Sequence, residues 1–267
     1  MESQTKKLII SYFMILVGVS ISFSQGDTEM ATIKSGSYIP LYGATEKKEV
    51  NVNTFKLDMY PVTNQEFVQF LKTNPEYTRS KIKRLFAKES YLSHWKSDFD
   101  FGNLAPDAPV TNISWFAAKK YCECQGKRLP TLDEWEYVAM ADSKRSDART
   151  REDYNSYILG WYEKGKTFLN PVGSTFKNYW GVYDMHGLVW EWTFDFNSIF
   201  LSGESRKDKD TDQNLFCGSG SVNATDLMNY AAFMRYAFRG SLKASFTTKN
   251  LGFRCATDIT QTNEINK

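Results

Sequence analysis

Histidine and cysteine are scarce in this 267-residue chain, which has two histidines and four cysteines. Many metal sites and nucleophilic centres are built from these residues, so the composition limits both kinds of chemistry. The chain also has no large excess of one sign of charge, because 33 basic and 31 acidic side chains leave a formal net charge of +2. A nearly neutral chain has no overall field to attract nucleic acid, so we expect no nucleic-acid partner.

Long apolar runs are also missing. The longest run lies near the N-terminus, between Leu8 and Val19, and is shorter than the roughly 20 residues that a spanning helix needs. Lys6 and Lys7 precede it, and Ser22-Phe23-Ser24 follows, an order typical of a cleaved export signal. We therefore expect residues 1–24 to be a signal peptide and the mature protein to be periplasmic or secreted, with no membrane contact after cleavage. A retained anchor is the alternative.

Aromatic residues make up 15% of the chain, and its 16 glycines outnumber its 7 prolines. This composition favours a turn-rich fold with an aromatic core. The sequence has no repeat, no low-complexity stretch and no Pro/Ser-rich linker. We predict one domain over residues 30–258 and a polar tail over 259–267.

Helix caps give the clearest local signals. Thr63 and Glu66 form one capping box, Thr131 and Glu134 form another, and Ser114 is placed to cap a third helix. Runs rich in β-branched and aromatic residues predict short strands. The strand candidates are Thr32 to Ile39, Val50 to Met59 and Leu251 to Ala256.

Six sequence blocks follow one another in an order that resembles the sulfatase-modifying-factor superfamily, whose founding activity is the formylglycine-generating enzyme. They are Ala31 to Gly43, Phe55 to Phe70, Pro109 to Ala118, Gly126 to Tyr137, Tyr183 to Trp192 and Asn250 to Ala256. The resemblance spans nearly the whole mature chain. It implies an α+β domain of the formylglycine-generating-enzyme fold, a C-type lectin-like variant with low regular secondary structure.

The cysteine pair of the active family members is missing. In formylglycine-generating members, two cysteines five residues apart bind copper and support oxidation of a substrate cysteine, a task suited to soft thiolates. The matching stretch here, Gly218 to Arg254, contains no cysteine. The two possible registers place the pair near Asp226 and Ala231, or near Asn223 and Met228. We therefore expect neither copper nor formylglycine formation by the family's mechanism.

Cys217 lies directly before this stretch and is a ligand-binding candidate. It could replace the pair as nucleophile or copper ligand, although no second thiol stands at the required spacing. The alternatives are a buried thiol or a disulfide with Cys124. The resemblance implies a different disulfide, between Cys122 and Cys255, which export would permit.

The block from Asp184 to Glu191 matches the family's structural calcium site. The resemblance implies that the ion is held by the side chains of Asp184 and Glu191 and by the backbone carbonyls of Gly187 and Val189. Such hard oxygen donors suit calcium. The alternative is that Glu191 only accepts hydrogen bonds from the protein.

Arg235 and Arg239 stand four residues apart where the family has its active-site floor. On a helix they could present guanidinium groups to an anionic or peptide ligand, or pair with Asp226 and nearby loop carboxylates.

Together these observations predict an exported, non-catalytic accessory or binding protein with a protein or peptide partner. It resembles the family branch encoded beside copper nitrite reductases. The alternative is a formylglycine-generating-type oxidase, or another enzyme that modifies a peptide in the family groove. A lectin-like carbohydrate binder is a third reading.

Overall fold

The structure, a computed structural model, describes residues 28–40, 49–197 and 227–259. The predicted signal peptide, Cys217 and nearly all of the polar tail lie outside these ranges. None of the described helices is both long and apolar enough to cross a bilayer.

Short helices and strands alternate along the described chain. The strands are β1 (Met30–Ile33), β2 (Gly36–Tyr38), β3 (Val50–Val52), β4 (Phe55–Asp58), β5 (Trp190–Glu191), β6 (Leu251–Gly252) and β7 (Ala256–Asp258). The α-helices are α1 (Asn64–Thr73), α2 (Trp115–Cys124), α3 (Leu132–Ala139), α4 (Glu152–Tyr162) and α5 (Leu227–Gly240). This is the α+β organisation with modest regular structure that the sequence predicts.

The strands form three small sheets. β1, β4 and β7 form an antiparallel sheet with β4 in the middle, β2 and β3 form an antiparallel pair, and β5 and β6 pair in parallel. Each of the first two strand candidates is therefore split into two strands. The cause is that the two halves of each candidate join different sheets, so the backbone must turn between them.

All three helix caps are confirmed. Thr63 N–H donates to Glu66 Oε2 at 2.8 Å, and Thr131 N–H donates to Glu134 Oε2 at 2.8 Å. Ser114 Oγ accepts the N–H of Ala117 at 3.3 Å. Each cap satisfies amide groups that a helix start leaves without partners.

A disulfide joins Cys122, at the end of α2, to Cys255, directly before β7, with 5.5 Å between the Cα atoms. Both cysteines are buried in the largest hydrophobic cluster. The bond therefore fixes a helix end against the central sheet, as the family resemblance implies. Cys124 is a free, exposed thiol that donates to Asn74 Oδ1 at 3.6 Å.

Candidate functional site

A cleft of about 260 Å³ opens beside the end of α4. Its walls are the α4 end and following turn, the segment from Met185 to Trp190, and Lys249-Asn250. The turn is tied to the facing wall by Thr167, whose hydroxyl donates to Leu188 O at 2.8 Å. The cleft is lined by four cationic side chains, those of Lys164, Lys166, Arg235 and Lys249. We call it the basic cleft.

The base of the basic cleft rests on a buried ion cluster. Arg235 and Arg239, on α5, both donate to the carboxylate of Glu136 on α3. Arg235 Nε and Nη2 lie 3.0 and 2.8 Å from Glu136 Oε1 and Oε2, and Arg239 Nη1 lies 2.7 Å from Oε1. Burial raises the pKa of Glu136, but the two guanidinium groups outweigh burial and lower it to about 2. Glu136 therefore stays ionised.

This cluster corrects the prediction made for Arg235 and Arg239. The segment is helical, but neither guanidinium is presented openly to a ligand, because both side chains are buried and share Glu136. The described ion-pair partner of both is Glu136, and Asp226, the carboxylate named from the sequence, lies outside the described ranges. Arg239 is further held over the ring of Trp135, with its guanidinium carbon 4.3 Å from the ring centroid. Only Arg235 also lines the basic cleft.

In the described part of Gly218 to Arg254, the positions that match the copper-binding cysteines of active family members carry no thiol. Ala231, one of the expected positions, is fully buried in α5. Asp226 and Asn223 lie outside the described ranges, and the side chain of Met228 is not described. Within residues 227–254 the floor is thus built from helix packing and the Glu136 ion cluster.

A second buried ion pair occupies the predicted calcium block. Arg254 Nε and Nη2 lie 2.9 and 2.8 Å from Glu191 Oε2 and Oε1, and both side chains are completely buried. Trp135 Nε1 donates to Glu191 Oε2 at 2.7 Å. Arg254 also donates to Tyr183 O at 2.9 Å. Both oxygens of Glu191 therefore accept hydrogen bonds from the protein.

Asp184 is likewise engaged by protein donors. Its Oδ1 accepts the N–H of Thr175 at 2.9 Å, and its Oδ2 accepts the N–H of Gly173. Gly187 packs against the ring of Trp161, where a Cβ atom would come within 2.4 Å of the ring, and its φ of +103° favours glycine. The described residues contain no cluster of three or more acidic, His or Cys side chains placed for a metal ion.

These contacts bear on the calcium prediction. A calcium ion at Glu191 would have to displace the guanidinium of Arg254 and the indole N–H of Trp135. The donors present therefore do not fit the ion. The ion pair between Arg254 and Glu191 was not predicted from the sequence, because the two residues lie 63 positions apart.

His186 is the remaining polar residue of this wall. Its Nε2 lies 2.8 Å from Ala139 O and must carry the hydrogen, because a carbonyl oxygen only accepts. Burial, followed by repulsion from Arg235, lowers the pKa of His186 to about 3. His186 is therefore a neutral structural residue, and the other histidine of the chain, His94, belongs to a distant part of the sequence.

Comparison with known proteins identifies the class to which this fold and floor belong. Residues 19–259 match the sulfatase-modifying factor enzyme 1-like domain, so the chain belongs to this family. Its relatives include an inactive C-alpha-formylglycine-generating enzyme 2 from Bos taurus, 26% identical over 248 residues, covering 78% of this chain and 79% of the relative. A formylglycine-generating enzyme from Bos taurus is 28% identical over 259 residues, covering 81% and 69%.

The solved structure of PvdO from Pseudomonas aeruginosa has the same fold. It aligns with a TM-score of 0.50 and 19% identity, covering 87% of this chain and 95% of PvdO. This confirms the formylglycine-generating-enzyme fold predicted from the sequence blocks. The family includes both active and inactive relatives, so membership alone does not decide activity.

Proposed function

We propose that this chain is an exported, non-catalytic member of the family that works as a binding or accessory protein. The observation that supports this best is the floor built on α5. Where active members need two thiols for copper, this chain has the buried Ala231, and Arg235 and Arg239 are locked to Glu136. Without a thiolate pair, the floor has no thiol to hold Cu(I) or to exchange with a substrate thiol.

Two further features support the proposal. One relative of similar length is named an inactive formylglycine-generating enzyme, although that name describes the relative. The N-terminal sequence is typical of an export signal, which accords with a periplasmic or secreted binding protein whose partner is a protein or peptide.

The test is an assay for conversion of cysteine to formylglycine in a sulfatase-type peptide, after loading the mature protein with Cu(I). An active formylglycine-generating enzyme run in parallel shows that the conditions support turnover. We expect no aldehyde by mass spectrometry. Aldehyde formation would overturn the proposal, and its loss in Cys217→Ser or in Cys124→Ser would identify the thiol responsible.

The second candidate function is a protein-modifying oxidase, favoured by the 28% identity to an active family member. Stoichiometric Cu(I) binding with oxygen consumption on a cysteine peptide separates it from the binding role. Copper binding at the described floor would require ligands other than cysteine.

A further inference from the structure

We infer that the basic cleft binds a small anion that carries at least two negative charges. This inference rests on the proposed binding function and gives that function a site and a ligand class. The anion is a ligand in addition to the protein or peptide partner proposed above. The cleft volume of about 260 Å³ lies below the roughly 300 to 1,000 Å³ typical of drug-sized ligands, so the ligand is small.

The charge balance of the lining carries the inference. Among the residues that the structure describes, three lysines and one arginine line the cleft and no carboxylate does. Lys164, Lys166 and Lys249 make no ion pair with any carboxylate among the described residues. Unpaired lysines are ordinary among the described residues, where Lys96, Lys119 and Lys127 are the paired ones, so the inference rests on several cations lining the same cleft. Four cations facing one concave space raise the local positive potential and attract an anion.

The ammonium group of Lys164 is held in place. Its Nζ lies 3.8 Å from the ring centroid of Trp161, within cation–π range. Trp161 itself is fixed by its packing against Gly187. The contact favours a position of this ammonium group at the cleft wall.

The buried side of the cleft adds a guanidinium. Arg235 is 3% exposed, and its Nε and Nη2 are used by Glu136. Among the described residues, its Nη1 has a 3.5 Å contact with Tyr162 Oη, at the limit of a hydrogen bond. Because Glu136 is the one carboxylate within ion-pair distance of both Arg235 and Arg239 among the described residues, their cluster carries one excess positive charge. A buried excess charge favours an anion next to it.

The experiment is isothermal titration calorimetry on the mature protein with three probes. Pyrophosphate and citrate are multiply charged, one through phosphate and one through carboxylate groups, and acetate is the singly charged comparison. We expect at least one of the first two to bind, with affinity that falls as salt is added. Binding of one alone identifies the anionic group recognised. Acetate should bind at least tenfold more weakly.

The variant Lys164→Gln/Lys249→Gln removes two charges from the cleft. Lys166 is left unchanged, so the variant keeps one lysine in the cleft. We expect at least tenfold weaker binding, which corresponds to about 1.4 kcal/mol. The matched control is Lys88→Gln, because Lys88 also lies over an aromatic ring, 3.5 Å from the centroid of Phe246, outside the cleft. It should bind within twofold of wild type.

Three results would overturn the inference: no binding of either multiply charged probe by folded protein, acetate binding as tightly as they do, or equal weakening in the cleft variant and the Lys88 control. Each of these leaves the non-catalytic proposal standing, because that proposal depends on the aldehyde assay. Aldehyde formation, conversely, would overturn the non-catalytic proposal without testing the charge of the cleft.

Discussion

Replacing Glu136 by glutamine is the sharpest perturbation of the floor. The substitution keeps the side-chain shape and removes the one negative charge that Arg235 and Arg239 share. Two guanidinium groups would then be buried without a counter-ion among the described residues. We expect Glu136→Gln to be strongly destabilising because uncompensated buried charges are costly.

The magnitude can be reached in two ways. The pKa of Glu136 falls from an ordinary 4.5 to about 2, and at 1.36 kcal/mol per unit this corresponds to about 3 kcal/mol at neutral pH. Removing one partner of a buried ion pair generally costs about 3–5 kcal/mol. The two figures agree, and either is a large share of the roughly 5–15 kcal/mol that stabilises a typical domain.

Urea unfolding at pH 7, followed by tryptophan fluorescence, measures the loss. The control is Glu123→Gln, which removes an exposed helix carboxylate paired with Lys119 and should change the free energy of unfolding by less than about 1 kcal/mol. The pH dependence has a definite sign. Because the folded-state pKa of Glu136 is lowered, its contribution is present above pH 4.5 and is lost as pH falls towards 2. A loss below about 1 kcal/mol in folded Glu136→Gln would refute the charge-compensation argument.

Three other outcomes follow from the described contacts. Burial, with repulsion from nearby cations, lowers the pKa of His94 to about 4. The free energy of unfolding should therefore decrease as pH falls from about 6.5 to 4. His94→Gln should flatten that slope when stability is measured as a function of pH. The Cys122→Ala/Cys255→Ala variant should lose up to about 5 kcal/mol of unfolding free energy, because the disulfide joins residues 133 positions apart in the sequence. Peptide mapping of the wild type without reduction should recover the two cysteines in one disulfide-linked pair. Recovery of both as free thiols would contradict this. The melting temperature should be the same in EGTA and in calcium at fixed ionic strength, because both oxygens of Glu191 already accept hydrogen bonds. A higher melting temperature in calcium would show that the ion displaces these donors.

Local features of the fold could be predicted from the sequence because their partners are three residues apart. The capping boxes at Thr63 and Thr131 are of this kind, since the cap and its carboxylate occupy one helical turn. The strand candidates were less accurate. β-Propensity indicates where a strand can form, but the sheet that each half joins depends on distant chain segments.

The site depended on distant pairings and could be predicted only in part. The helical spacing of Arg235 and Arg239 was correctly recognised, but their carboxylate partner lies 99 and 103 residues earlier in the chain. A buried acid in the middle of α3 was the available signal, because Glu136 lies on the same helix as the buried Trp135 and Val138. The basic cleft was not predicted from the sequence, because Lys164 and Lys249 lie in connecting segments that share no sequence pattern.

Trp135 contacts both buried ion clusters and so links them. Its indole N–H donates to Glu191, and the face of its ring lies against Arg239. A movement of either cluster must therefore move this ring, which is itself buried in the second hydrophobic cluster. In the described part of the floor, the carboxylates of Glu136 and Glu191 are both engaged by guanidinium groups. The charged groups that line the basic cleft are three lysines and Arg235, and this arrangement of charges favours the recognition role proposed above.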